Sequence, residues 1–220
     1  MPNQAYAVIA ILLLVIAGMG ASNFLHDRGV PRHLPRRAAH VFGGVALLNA
    51  VVWLDPWTAI ALSGVLTLFI LSLRLGYRRG LRGISRTESE SDWAEIAYPI
   101  AATISLAVGW GLLGDRWLGF LPIAFMAWGD SVAGLTRATI WRDSSDTIWP
   151  SIAMLGVCLA AATLFHPYWI GAIGAVVAAP AERFRLLAHN AWEDNWIPDD
   201  PIIVAASLTV MTVLIGVTGP

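Results

Sequence analysis

Long apolar runs broken by short polar stretches organise the whole chain. They fall near residues 5–25, 38–54, 57–75, 95–114, 117–135, 148–165, 167–181 and 201–218. A straight helix needs about 20 apolar residues to cross the hydrocarbon of a bilayer. Several runs approach that length, and the seventh is the weakest. The pattern predicts an all-α, polytopic transmembrane helical bundle of about eight spans (roughly seven to nine), with 167–181 a tilted or re-entrant piece lying against protein. Residues 1–220 read as a single integral membrane domain. The first run follows Met-Pro-Asn-Gln, which carries no basic residue, and ends in His26-Asp27-Arg28. It is therefore expected to be a retained helix and not a cleaved leader.

Three connections are tight: Leu54-Asp55-Pro56, Gly114-Asp115-Arg116 and His166-Pro167. Four are longer and polar, near 26–37, 76–94, 136–147 and 182–200. Alternation of eight helices puts the four long loops on one face. Every arginine except Arg116 lies in or beside them. Positive charge marks the cytoplasmic side, so the N and C termini are expected outside and any site among these loops on the cytoplasmic face. Removing one helix would scatter the arginines over both faces.

Composition agrees. The chain is 57% hydrophobic and 13% charged, against about 25% charged in soluble domains, so it needs lipid as its solvent. A net charge of −1 gives no electrostatic case for a nucleic-acid partner. Cys158 is the single cysteine, which excludes an internal disulfide and a cysteine-built metal site. All 14 basic residues are arginine. Chemistry that requires lysine, such as a P-loop or a Schiff base, is thereby excluded.

Ionisable groups at membrane depth are costly and point to function. Four sets stand at the ends predicted to be cytoplasmic. Arg36, Arg37 and His40 lie at the start of the second span, with Arg37 and His40 three apart and able to share a helix face. Glu95, Tyr98 and Pro99 open the fourth. Gly129, Asp130 and Ser131 lie late in the fifth, where an aspartate in so apolar a run requires a metal, an arginine or a substrate as partner. Glu182 follows the seventh, and Glu193-Asp194-Asn195-Trp196-Ile197-Pro198 precedes the eighth. Blander roles exist for most of these: arginines that set topology, a glutamate at a helix N-terminus, a solvated acidic loop. Taken together, carboxylates that bind Mg²⁺ beside phosphates and arginines that grip phosphate oxygens suit phosphoryl transfer, which asks mainly for positioning and charge neutralisation. Convergence of Arg37, Asp130, Glu182 and Asp194 would hold a nucleotide–Mg²⁺ complex against a lipid.

In their order along the chain these sets resemble the motifs of the polyprenol kinase family, which includes dolichol kinases, phytol kinases and CTP-dependent diacylglycerol kinases and is related to phosphatidate cytidylyltransferases. Arg36, Arg37 and His40 resemble its Arg-Lys-x-x-His motif, Glu95, Tyr98 and Pro99 its Glu-x-x-Tyr-Pro segment, and Gly129, Asp130 and Ser131 its Gly-Asp-Ser motif, extended by Ala133-Gly134. Glu182 fits a lone glutamate, and Asp194-Asn195-Trp196-Ile197-Pro198 the closing Asp-Asn-x-x-Ile-Pro. The resemblance covers roughly residues 30–215. One motif departs: where the family has Lys-Ser/Thr-x-Glu-Gly-Ser, this chain has Asp146-Thr147-Ile148-Trp149-Pro150-Ser151. Only Thr147 and Ser151 remain, and Arg142 is four positions from replacing the lysine.

The resemblance implies a membrane lipid kinase that transfers the γ-phosphate of CTP, with Mg²⁺, to an isoprenoid alcohol such as dolichol, another polyprenol or geranylgeraniol. It implies catalytic Asp130, Glu182 and Asp194, with Asp130 and Asp194 as metal ligands. Nucleotide or phosphate contacts would come from Arg36, Arg37, His40, Gly129, Ser131, Thr147, Ser151 and Asn195. Glu95, Tyr98, Pro99 and Pro198 would shape the site and its lipid side. Two alternatives stay open: a CTP-dependent cytidylyltransferase making a CDP-lipid, and a non-catalytic membrane homologue or transporter.

Overall fold

The structure, a computed structural model, describes residues 2–31, 33–85, 94–139, 148–189 and 199–218. Among them every regular element is helical. α1 (Pro2–Asp27) and α2 (His33–Trp53) are followed by α3 (Pro56–Gly76) and a 3-10 turn (Arg78–Leu81). α4 (Ala94–Leu106) runs on into a π-helical turn (Ala107–Leu112). α5 (Arg116–Ala124), a second π turn (Phe125–Asp130) and α6 (Ser131–Thr139) make one continuous rod. α7 (Trp149–Ala162), α8 (Tyr168–His189) and α9 (Asp199–Thr218) complete the bundle.

The tight connections form where the sequence places them, and two of them start helices by the same device. Asp55 accepts hydrogen bonds from the backbone N–H groups of Trp57 and Thr58 (both 3.1 Å) and from the Thr58 hydroxyl (2.6 Å). Pro56 follows at the first helical position, where its missing N–H costs nothing. Asp115 caps α5 through Trp117 and Leu118 (2.8 and 3.1 Å). Gly114 before it has φ 76°, a conformation that disfavours a β-carbon. The Thr58 hydroxyl, then its N–H, holds the Asp55 carboxyl below its ordinary pKa. A depressed pKa means that the cap stabilises α3 at neutral pH and loses this as pH falls through the folded-state value.

The α5–α6 rod is the axis of the bundle. Every residue from 118 to 127 is buried, as expected of a helix apolar on all sides. α2, α4, α7, α8 and α9 pack around it, while α1 packs along α2 and α3 along α4. Where α4 passes into its π turn it crosses α5 at close range. A β-carbon on Gly109 would come within 2.3 Å of the Gly119 backbone nitrogen, and the Ser105 hydroxyl donates to the Gly119 carbonyl (2.8 Å). Small residues let helix backbones approach this closely in membrane bundles.

The outer surface is apolar. Leu13, Ile16, Leu68, Val176 and Val213 are exposed, whereas His40, Arg74, Glu95, Asp130 and Ser207 are buried. That distribution suits lipid as solvent. Among the described residues, five helices are long and apolar enough to cross a membrane: Gln4–Asp27, Pro56–Gly76, Glu95–Leu112, Arg116–Thr139 and Pro201–Thr218. α7 and the apolar part of α8, Tyr168–Ala181, are shorter.

Two expectations need correction. α2 begins at His33, so Arg36 and Arg37 lie inside the helix and not ahead of it. Pro35 is tolerated there because it falls in the first turn. The run 167–181 is the apolar part of a 22-residue helix that continues to His189 and contains Glu182. An apolar window stops at the first charges, but the backbone hydrogen bonding does not.

Candidate functional site at the arginine-rich end

Among the described residues, one end of the bundle brings together segments that carry Arg37, Arg74 and Arg82. Asn23, near the end of α1, donates to the Gly80 carbonyl and accepts from the Gly83 N–H (both 2.9 Å). Arg82 pairs with Asp27 at 2.7 Å. The end of α1 and the segment after α3 are thereby tied together. Arg37 joins the start of α2 to α6 at the same end.

Adjacent flanks of α2 carry two polar clusters. On the first, Arg37 Nε donates to the Ser131 carbonyl (3.2 Å) and Nη1 to the His33 carbonyl (3.1 Å). Its guanidinium lies directly on Gly134: a β-carbon there would sit 1.3 Å from Nη2. Asp130, buried, ends the π turn one residue before Ser131. The Ser131 hydroxyl donates back to the Ala127 carbonyl (2.5 Å), so its carbonyl, not its side chain, receives the arginine. Gly129 faces α7, where a β-carbon would meet Cys158 Sγ at 2.7 Å and Met154 at 3.1 Å. π turns interrupt helices often at functional sites, and this one ends on the one aspartate buried in the bundle axis.

On the second flank, the His40 and Tyr98 rings stack with centroids 4.6 Å apart, and the Tyr98 hydroxyl donates to the His40 carbonyl (3.4 Å). One turn before Tyr98, Glu95 is buried and ion-paired through Oε1 with Arg74, itself buried. The Ser85 hydroxyl also reaches Oε1 (3.5 Å). Pro99 lies within α4, and its carbonyl accepts from the Thr103 hydroxyl (2.8 Å). Thr103 in turn meets Ser63 (2.9 Å) and Thr67 (3.1 Å) on α3. The two clusters are bridged by α2: Gly43 touches Tyr98, and Gly44 touches Trp128 and Ala127.

Three of the sets singled out along the chain thus meet around the first turns of α2. Arg36 is half-buried there. Ser151 stands in the first turn of α7, one turn before Met154. The Glu182 side chain lies outside the described residues, as do Thr147, Asp194, Asn195 and Pro198. Arg74 and Ser85 were not foreseen as site residues. The available signal was that Arg74 closes one apolar run and Glu95 opens the next, which puts both at one level of a helical hairpin.

No family model matches this chain. No curated protein and no solved structure matches it either. What the site does has to be argued from its side chains. Among the described residues, no three His, Cys, Asp or Glu side chains cluster closely enough to hold a metal ion. Of the carboxylates expected to converge, Asp130 is the one whose side chain lies among the described residues, and it is buried.

Proposed function

We propose that the protein is a membrane lipid kinase that moves the γ-phosphate of CTP, as its Mg²⁺ complex, to the hydroxyl of an isoprenoid alcohol. The observation that carries this reading is the seating of Arg37 on Gly134 beside Asp130, with His40 one turn further on against Tyr98 and close to Glu95. A cation able to grip phosphate, a buried carboxylate and a second buried polar cluster nearby suit phosphoryl transfer to an alcohol. In the reaction the alcohol oxygen bonds to Pγ, the bond from Pγ to the β–γ bridging oxygen breaks, and CDP leaves with that electron pair. The alcohol proton passes to a carboxylate, for which Asp130 is the candidate. Arg37 steadies the phosphate oxygens. Asp194, with Asp130 where it does not serve as that base, would hold Mg²⁺, which would offset the phosphate charge; Glu182 and Asn195 would orient the nucleotide.

The membrane arrangement belongs to the same proposal. About eight spans with both termini outside place the arginine-rich end on the cytoplasmic face, where nucleotide is available.

Purified protein in nanodiscs, given Mg²⁺ and CTP labelled on either the γ- or the α-phosphate, decides the reaction. The acceptors are a panel of isoprenoid alcohols, diacylglycerol and lipid phosphates. Transfer of γ-label to an alcohol is the expected result. Transfer of α-label to a lipid phosphate, with pyrophosphate released, would make it a cytidylyltransferase. No transfer from CTP or ATP by folded protein would favour a non-catalytic role and make the departed 146–151 segment the reason.

Gly134→Ala is expected to lower kcat/KM for γ-transfer by about 10²-fold, the cost of a misplaced positioning group. The added methyl would occupy the space of the Arg37 guanidinium. Stability should hardly change, because the displaced atoms are the end of a flexible side chain and alanine favours helix. A thermal melt run beside the kinetics checks this; unchanged kinetics would remove Arg37 from the site.

A further inference from the structure

At the end of α2 opposite Arg37, α1 and α2 leave an open groove of about 310 Å³ between them. Tyr6, Ala7 and Ala10 line it from α1, and Asn49 and Trp53 from α2. It forms because Ala7 and Ala10 are short where Tyr6 and Trp53 stand outward, 72% and 62% exposed. Among the described residues α1 packs along α2 and touches little else. The flank that carries the groove therefore faces out of the bundle.

Asn49 makes this more than a gap in an apolar surface. Its Nδ2 donates to the Val45 carbonyl, one turn back on α2, at 2.9 Å. That bond uses one N–H of a group with two donors and an acceptor. The second N–H and Oδ1 meet no partner among the described residues. Trp53 follows one turn later, about 6 Å along the axis at 1.5 Å per residue. Tryptophan settles at the level of the head groups, which puts Asn49 a turn inside the hydrocarbon. Water is scarce there, and a polar side chain lacking partners is costly. Acyl chains offer neither donor nor acceptor, and the esters of a phospholipid offer acceptors alone. A second carboxamide offers both.

We infer that two copies of the chain associate in the membrane through this α1–α2 groove, about a two-fold axis, with their Asn49 carboxamides exchanging N–H···O hydrogen bonds. A two-fold interface uses one patch twice, so the patch must be complementary to itself. This one is, in two respects. Its carboxamide is donor and acceptor at once, and its groove lies beside outward-standing rings of Tyr6 and Trp53, so that a ring of each copy enters the groove of the other. Ala7 and Ala10 let the helices approach closely, as small residues do between membrane helices. Tyrosine and tryptophan supply contact area at a low cost in side-chain freedom. Arg37 stands at the far end of α2, so association leaves the candidate site open, and the inference does not depend on the kinase reading.

The test uses the full chain, fluorescently tagged, in liposomes of phosphatidylcholine at a series of protein-to-lipid ratios, with copies per spot counted by single-molecule photobleaching. Dimers that dissociate on dilution with lipid are expected. Asn49→Leu should weaken association about tenfold, the scale of hydrogen bonds between membrane helices, and Asn49→Gln should recover part of it. Ala10→Phe, which fills the groove from an exposed position, should also weaken it. Thermal melts of these variants should stay near that of the parent, because both positions face out of the bundle. Cysteine crosslinking locates the contact, since the single native cysteine, Cys158, is buried. Ala10→Cys should crosslink between copies on oxidation, and Val213→Cys, equally outward on α9 at 56% exposure, should not. Monomers at every ratio, association unchanged by Asn49→Leu, or crosslinking through Val213→Cys in place of Ala10→Cys would overturn the inference. A monomer that keeps a phospholipid in native mass spectrometry and loses it with Ala10→Phe would give the groove to lipid, and would overturn it too.

Discussion

Asp130→Asn is expected to reduce γ-phosphate transfer by about 10³-fold or more, the scale lost when a preorganised charged group is removed from a water-poor site. The substitution keeps size and shape, so the packing around it should persist. Gly129 leaves room for Cys158 and Met154 on the α7 side, and Arg37 stays tied to the Ser131 carbonyl. What disappears is the negative charge at the end of the π turn, and with it the carboxylate proposed as proton acceptor or Mg²⁺ ligand. The loss should fall on kcat and kcat/KM together, since the charge acts in the transition state more than in binding. Asp130→Glu should recover part of the activity by restoring charge at a displaced position. Activity within threefold of the parent in the Asp130→Asn protein would exclude Asp130 from the chemistry.

Arg74→Met should destabilise the fold by about 3–5 kcal/mol, the typical cost of removing one partner from a buried ion pair. Both members are almost wholly inaccessible, at 4% and 1% side-chain exposure. Without Arg74 the Glu95 carboxylate keeps only the distant Ser85 hydroxyl. The double variant Arg74→Met with Glu95→Leu should regain most of the loss, because two apolar side chains need no partner in that position. Reversible unfolding in mixed micelles, run as a double-mutant cycle, measures the coupling. Additive single and double effects would show that the pair contributes no specific interaction.

Much of the helical scaffold was legible along the chain. Apolar runs mark helices because an apolar stretch must be buried in lipid or protein and a helix satisfies its own backbone there. The turns at Asp55 and Asp115 were equally local, as a capping aspartate beside proline or after glycine acts within a few residues. The ends of α2 and α8 were not legible. Polar residues are compatible with both a loop and a helix that continues past the apolar zone, and only neighbouring contacts decide between them. The π turns lay hidden for a related reason: one extra residue in a helical turn depends on what the neighbouring helices require.

The site divides in the same way. Charges set deep in apolar runs stood out singly, because burying them is costly wherever they end up. By itself the sequence determined an all-helical chain matched to lipid, with its arginines gathered between particular helices and Asp130, Glu95 and His40 in need of partners. Tertiary structure decided who those partners are. It laid Arg37 on Gly134 and paired Arg74 with Glu95 across a hairpin. The physical reason is that cost is a property of each residue, whereas satisfaction is a property of pairs. Which pairs meet depends on helix packing, carried largely by small residues such as Gly109, Gly119 and Gly134 whose role appears only when two surfaces touch.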